Sequence, residues 1–61
     1  MKLTTLSNIK KGEYFRFPIK KKVYTFEGKD RNFGYSYSDF DDVNNFHHTQ
    51  SDRKIEIDFD F

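Results

Sequence analysis

Cysteine is absent from the 61 residues, which rules out a disulfide framework and a thiolate zinc site. Alanine is absent as well, and there are one proline and three glycines. Lys, Asn, Phe, Tyr, Ile and Asp are plentiful instead, the preferences that an AT-rich genome produces through codon bias. The placement of lysines and rings therefore carries more weight than their number. No run approaches the roughly 20 apolar residues of a membrane span. The opening "MKLTTLSNIKKG" has an early Lys but no apolar core of about 7–15 residues of the secretory kind. An intracellular, cytoplasmic protein without a membrane partner is expected. Gly12, Gly28 and Gly34 are too scattered for a phosphate loop, and no serine or threonine stands in a nucleophile elbow.

The length sets a second limit. A chain this short buries only about 60% of the surface that its unfolded form exposes, and such cores usually need a staple, a partner or dense packing. Eight Phe and four Tyr supply the last of these. Each buried ring removes roughly 150–250 Å² from water. One domain over residues 1–61 is expected, packed on aromatic side chains.

The net charge of +1 conceals a division. Residues 1–32 carry nine Lys/Arg against three Asp/Glu, a surplus of +6; residues 33–61 carry two against seven, or −5. Such asymmetry can mark a surface for a charged partner. It is met equally well by two halves that lie side by side and neutralise each other across strands.

Helical periodicity is scarce. Leu3, Leu6 and Ile9 recur every three residues, which suits one helical turn or an extended segment laid over the core. The remainder has period two. "GEYFRFP" alternates Glu13, Phe15 and Phe17 with Tyr14 and Arg16, and Pro18 ends it because it cannot donate in a central ladder. "KKVYTFEG" alternates Lys22, Tyr24 and Phe26 with Val23, Thr25 and Glu27. "FGYSYSDF" sets Tyr35 and Tyr37 against Ser36 and Ser38, and the turn formers of "GKDRN" make these last two strands a hairpin. "DDVNN" is expected to be a turn, "FHHTQ" a short strand and "SDR" the turn after it. "KIEIDFDF" gives eight residues of strict alternation, Ile55, Ile57, Phe59 and Phe61 on one side, so a half-buried strand is expected to the end of the chain. A small sheet without a covering layer would expose its apolar face. The expected fold is all-β, a small five-stranded antiparallel SH3-like barrel whose last strand pairs beside the first, with one short helical turn allowed.

The stretch "LSNIKKGEYFRF", Leu6 to Phe17, resembles the strand opening of small SH3-like β-barrel proteins. Ile9, Gly12, Glu13 and Phe15 fill the places of the apolar residue, the turn, the acidic residue and the first inward strand position. It departs from the KOW type, since "EYF" replaces an Asp followed by an aliphatic. The whole chain also resembles small uncharacterised bacterial proteins. The barrel resemblance implies binding of RNA, DNA or peptides, by analogy of fold.

Lysines and rings are interleaved from Lys10 to Arg31. With Phe15, Phe17, Tyr24 and Phe26 inward, Tyr14, Arg16, Val23 and Thr25 lie outside and Lys20, Lys21 and Lys22 fall in the loop between strands. Together with Lys10, Lys11, Lys29 and Arg31 they could form a basic rim around Tyr14 as a stacking ring, the combination that single-strand binders use. The alternative is that these lysines only keep loops in solution and guard strand edges. His47 and His48 would point to opposite faces of a strand and cannot share one metal ion. Asp39, Asp41 and Asp42 lack the further ligands, glycine and terminal glutamate of a calcium loop. They also lack the cleft that paired catalytic carboxylates need; Asp39 is expected to be a turn or helix-start residue, with Asp41 and Asp42 solvated. No enzyme, cofactor, metal site or small-molecule substrate is expected. The function expected is that of a non-enzymatic binding module contacting nucleic acid through Lys10, Lys11, Tyr14, Arg16, Lys20, Lys21, Lys22, Lys29 and Arg31. The alternative is a protein-interaction or self-associating, subunit-like role, homodimer included, using the acidic half or an edge strand.

Overall fold

A computed structural model describes residues 2–20 and 22–59. Six strands follow one another: β1 (Lys2–Thr5), β2 (Tyr14–Arg16), β3 (Val23–Asp30), β4 (Gly34–Asp39), β5 (Asp42–Thr49) and β6 (Lys54–Ile57). A single 3-10 turn, Leu6–Asn8, follows β1 and realises the helical turn suggested by the Leu3/Leu6/Ile9 spacing. The strands form one sheet in the order β1-β6-β2-β3-β4-β5, with every pairing antiparallel.

Alternation fixes which residues meet. Phe15 registers with Tyr24, Phe26 with Tyr37, and Ile55 with Thr4. The buried cluster is Leu6, Ile9, Phe15, Phe17, Tyr24, Phe26, Tyr35, Tyr37 and Ile55, with Ile57 against it. Its rings meet mostly edge to face: Phe15 lies 5.4 Å from Phe17 and 5.5 Å from Tyr37, and Tyr24 lies 5.1 Å from Tyr37. Such contacts add roughly 0.5–1.5 kcal/mol each beyond area burial. Of the residues expected inward, Phe15, Phe17, Tyr24, Phe26, Tyr35, Tyr37 and Ile55 are buried, Ile57 and Phe59 only partly, and Ser38, expected on the wet side, is fully buried as well.

Six of the nine core residues lie on strands, Leu6, Ile9 and Phe17 come from the segments beside them, and the sheet curls around this cluster. Two irregularities supply the bend, one in the β3–β4 ladder between Phe26 and Gly28, the other in the β4–β5 ladder between Ser38 and Asp39. The curl does not end in closure. β1 and β5 are the two sheet edges and are not hydrogen-bonded to each other, so a six-stranded open sheet stands where a closed five-stranded barrel was expected. Two causes are visible. Residues 2–5 add an edge strand beside β6, and Leu3 points to solvent, 62% exposed. β5 presents the polar Asn44 and Asn45, both exposed, where a closing strand would need apolar residues.

The expected β3–β4 hairpin is present, its turn closed by Asn32 and Phe33 N–H groups donating to Asp30 Oδ1. Of "DDVNN" only Asp41 belongs to the turn, Phe40-Asp41; residues 42–45 are the first part of β5. The last strand is shorter than its alternation: β6 ends at Ile57, and Asp58 has φ 55, which breaks the extended run. Asp60 and Phe61 lie outside the described residues. No helix among the described residues is long and apolar enough to cross a membrane.

Candidate functional site

β2 runs into a turn at its C-terminal end. Pro18 ends the ladder, and the Lys20 N–H donates to the Phe17 carbonyl at 3.1 Å, which holds Ile19 at the tip with 96% of its surface exposed. The β5–β6 connection arrives beside it. Asp52 accepts from the Ser7 N–H at 2.9 Å and from its hydroxyl at 2.7 Å, and these bonds lower the Asp52 carboxyl below its ordinary value. The Leu6 N–H donates to the Arg53 carbonyl. Held in this way, Arg53 places its guanidinium 4.0 Å over the buried ring of Phe17. Phe17, Pro18, Ile19, Lys20, Arg53 and Lys54 line a cleft of about 440 Å³. Three of its lining residues are apolar and three are cations, and no carboxylate of the described residues lines it. Lys20, Arg53 and Lys54 make no ion pair among the described residues.

The other cations expected at the site are dispersed. Lys22 Nζ donates to Asp39 Oδ2 at 2.8 Å, and that bond raises the Lys22 pKa. Arg16 Nε donates to Glu56 Oε1 at 2.6 Å across the β2–β6 pair, and its guanidinium lies 4.5 Å over the Phe59 ring. Lys29 and Arg31 sit at the far end of β3, about 23 Å of strand away from Val23; Lys29 stands 5.3 Å over Tyr35. Lys10 and Lys11 are exposed in the turn before β2, which docks on β3 through the Gly12 N–H to the Phe26 carbonyl. Lys21 lies outside the described residues. Tyr14 is 48% exposed and meets Phe40 edge-on at 5.0 Å, but its surroundings are acidic. It lines a second cleft, of about 350 Å³, together with Glu13 and Asp58.

Asp39 is neither a turn nor a helix-start residue but the last residue of β4. Its side chain is 3% exposed, and its carboxylate accepts from Lys22 and Asn45 Nδ2 on one oxygen and from His47 Nε2, 2.9 Å away, on the other. Lys22 first, then His47 and Asn45, bring its pKa down to about 2, against the opposing cost of burial. His47 also stacks on Tyr37 at 5.3 Å, whereas its neighbour His48 faces the other side, near Phe33. Among the described residues no group of three or more His, Cys, Asp or Glu could hold a metal ion.

The sequence reading missed Arg53, Lys54 and the Asp39 hub. One signal was at hand: Arg53 and Lys54 are the only Lys/Arg of the acidic half and stand side by side. No protein-family model matches the chain, and no curated protein or solved structure matches it.

Proposed function

We propose that the chain is a non-enzymatic binding module that contacts nucleic acid at the end of the sheet where the Pro18–Lys22 loop meets Arg53 and Lys54. The observation that carries this is the cleft lined by Lys20, Arg53 and Lys54 and, among the described residues, by no carboxylate. Each such cation can neutralise one phosphate and release its counterion. Lys10, Lys11, Lys29 and Arg31 would extend the positive potential along β3 as outlying contacts. The curled sheet, with β6 between β1 and β2, is on this reading an SH3-like arrangement with an unzipped edge.

Affinity should be modest and strongly salt-dependent, with a Kd on the order of 10⁻⁴–10⁻⁶ M for sequence-independent contact. Fluorescence anisotropy of a labelled oligonucleotide at several salt concentrations tests it. Replacing Lys20, Arg53 and Lys54 together by Ala should reduce the slope of log affinity against log salt by about 2, as expected for three lost phosphate contacts on a single strand. An unchanged slope would remove the site, and no binding by the native chain at low salt would remove the function.

One observation favours a second reading, a protein-interaction role. β5 is an eight-residue edge strand without Lys or Pro, and it exposes Val43 and Phe46. Edge strands usually carry such guards because their unpaired backbone invites another strand. β1, the other edge, is only four residues long and begins with Lys2. A partner strand, from a second copy of this chain or another protein, would add to β5.

A further inference from the structure

We infer that the cleft seats one unpaired base, so that the module selects single-stranded over duplex nucleic acid; this rests on the nucleic-acid reading above. Cations alone would serve any polyanion, and the inference lies in what accompanies them. Ile19 gains nothing for folding at 96% exposure, yet with Pro18 and Phe17 it makes the apolar lining of a cleft otherwise lined by charge. Arg53 adds a plane. Its guanidinium is backed by the Phe17 ring at 4.0 Å, and Phe17 is itself buried and fixed by Phe15, Tyr24 and Tyr37. A guanidinium held over a fixed ring in this way is the kind of platform on which unstacked bases are commonly laid.

Size agrees with charge. About 440 Å³ lies toward the small end of ligand clefts, enough for one planar group with an apolar face. In a duplex that face is covered by the neighbouring pairs, and only phosphates would reach Lys20 and Lys54. Tyr14 does not compete for the role, because Glu13 and Asp58 beside it repel the backbone of any strand that would stack there.

Three labelled probes of equal length separate the contributions: a single-stranded oligothymidylate, the same strand with abasic sites throughout, and a duplex. At low salt the based strand should bind about fivefold to a hundredfold tighter than the abasic one, the range for one stacked base. Ile19→Ser should erase most of that preference while leaving abasic and duplex binding, and the melting temperature, unchanged. Arg53→Lys should do the same and keep the salt slope, since it retains the charge and loses the plane. Equal affinity for based and abasic strands overturns the inference and leaves the nucleic-acid function standing. So does a uniform loss on all three probes in Ile19→Ser. Capture of the native chain by vesicles of phosphatidylserine and phosphatidylcholine, with no affinity for any oligonucleotide, overturns both and assigns the Ile19 tip to a lipid surface.

Discussion

Gly34→Ala tests how the site is held in place. Gly34 opens β4 with φ +80, and a Cβ built there would stand 2.4 Å from the Thr49 carbonyl oxygen, 3.0 Å from Gln50 Cα and 3.1 Å from the Thr49 carbonyl carbon. Two terms follow. An L-residue in the left-handed region costs roughly 1–2 kcal/mol. The neighbours are backbone and cannot rotate aside, so the end of β5 must retreat by about 1 Å. That strains the Tyr35–Thr49 pairing and forfeits about one ladder hydrogen bond, 0.5–1.5 kcal/mol. The total is about 2–3 kcal/mol, from a domain whose whole stability should be about 3–9 kcal/mol at this length. At roughly 4–8 °C per kcal/mol, the melting temperature should fall by about 10–25 °C. Gly12→Ala is the control: φ is +94 there, but nothing lies within 4 Å of its Cβ, so only the backbone term applies. Far-UV circular dichroism during thermal and urea unfolding reads both. A Gly34→Ala loss no larger than that of Gly12→Ala would refute the close packing of the β3–β4 turn against the end of β5. The chain leaves β5 at that contact to carry Arg53 to the cleft, so Gly34→Ala should also weaken the base preference more than Gly12→Ala does.

Asp39→Asn should reveal the buried hub through pH. The native carboxyl is held at about 2, below its ordinary 3.8, so it contributes stability in full above pH 4 and loses it as pH falls through 2. The stability gap between native and variant, read by urea titration, should narrow from pH 5 to pH 2; a constant gap would mean that Asp39 is not ion-paired. For the unguarded edge, sedimentation at two salt concentrations with and without Phe46→Lys gives a clean answer. Self-association abolished by Phe46→Lys supports strand addition at β5, and a monomer at high micromolar concentration in both salts excludes a homodimer there.

Much of the fold was legible because alternation is a local signal. Phe15, Phe17, Tyr24, Phe26, Tyr35, Tyr37 and Ile55 declared their face within each strand, and the hairpin at "GKDRN" followed from its turn residues. β1 was hidden because its one apolar residue, Leu3, points outward, and the Leu3/Leu6 spacing has the wrong period for a strand. The start of β5 was hidden because Asp42, Asn44 and Asn45 look like turn formers, while its ladder skips residues opposite the Ser38–Asp39 step. The site was least legible. Asp39 needs Lys22, next to β3, and His47 on β5, the strands on either side of β4, and Arg53 needs Phe17 across the β2–β6 pair, partners that only strand order and register bring together. No spacing rule in one strand announces a contact between a loop and a distant connection.

The charge division of the sequence resolves into a direction. Cross-strand pairing consumes part of the basic surplus: Arg16 is paired with Glu56 and Lys22 with Asp39, each joining the first half of the chain to the second. What remains unpaired is sorted by antiparallel geometry, because β2 and β6 run against each other. The end of β2 therefore meets the start of β6, bringing Phe17, Ile19 and Lys20 to Arg53 and Lys54. The start of β2 meets the end of β6, bringing Glu13 and Tyr14 to Asp58. A positive cleft and a negative one thus lie at opposite ends of the same strand pair, in a molecule of net charge +1. On the proposed nucleic-acid reading, a polyanion would be repelled from the Tyr14 end and drawn to the Arg53 end, and its orientation would come from local sorting of charge and not from the overall surplus. With so small a net charge there is little long-range attraction to duplex or membrane surfaces. On that reading, discrimination would be left to the short-range contacts of Ile19 and the Arg53 guanidinium.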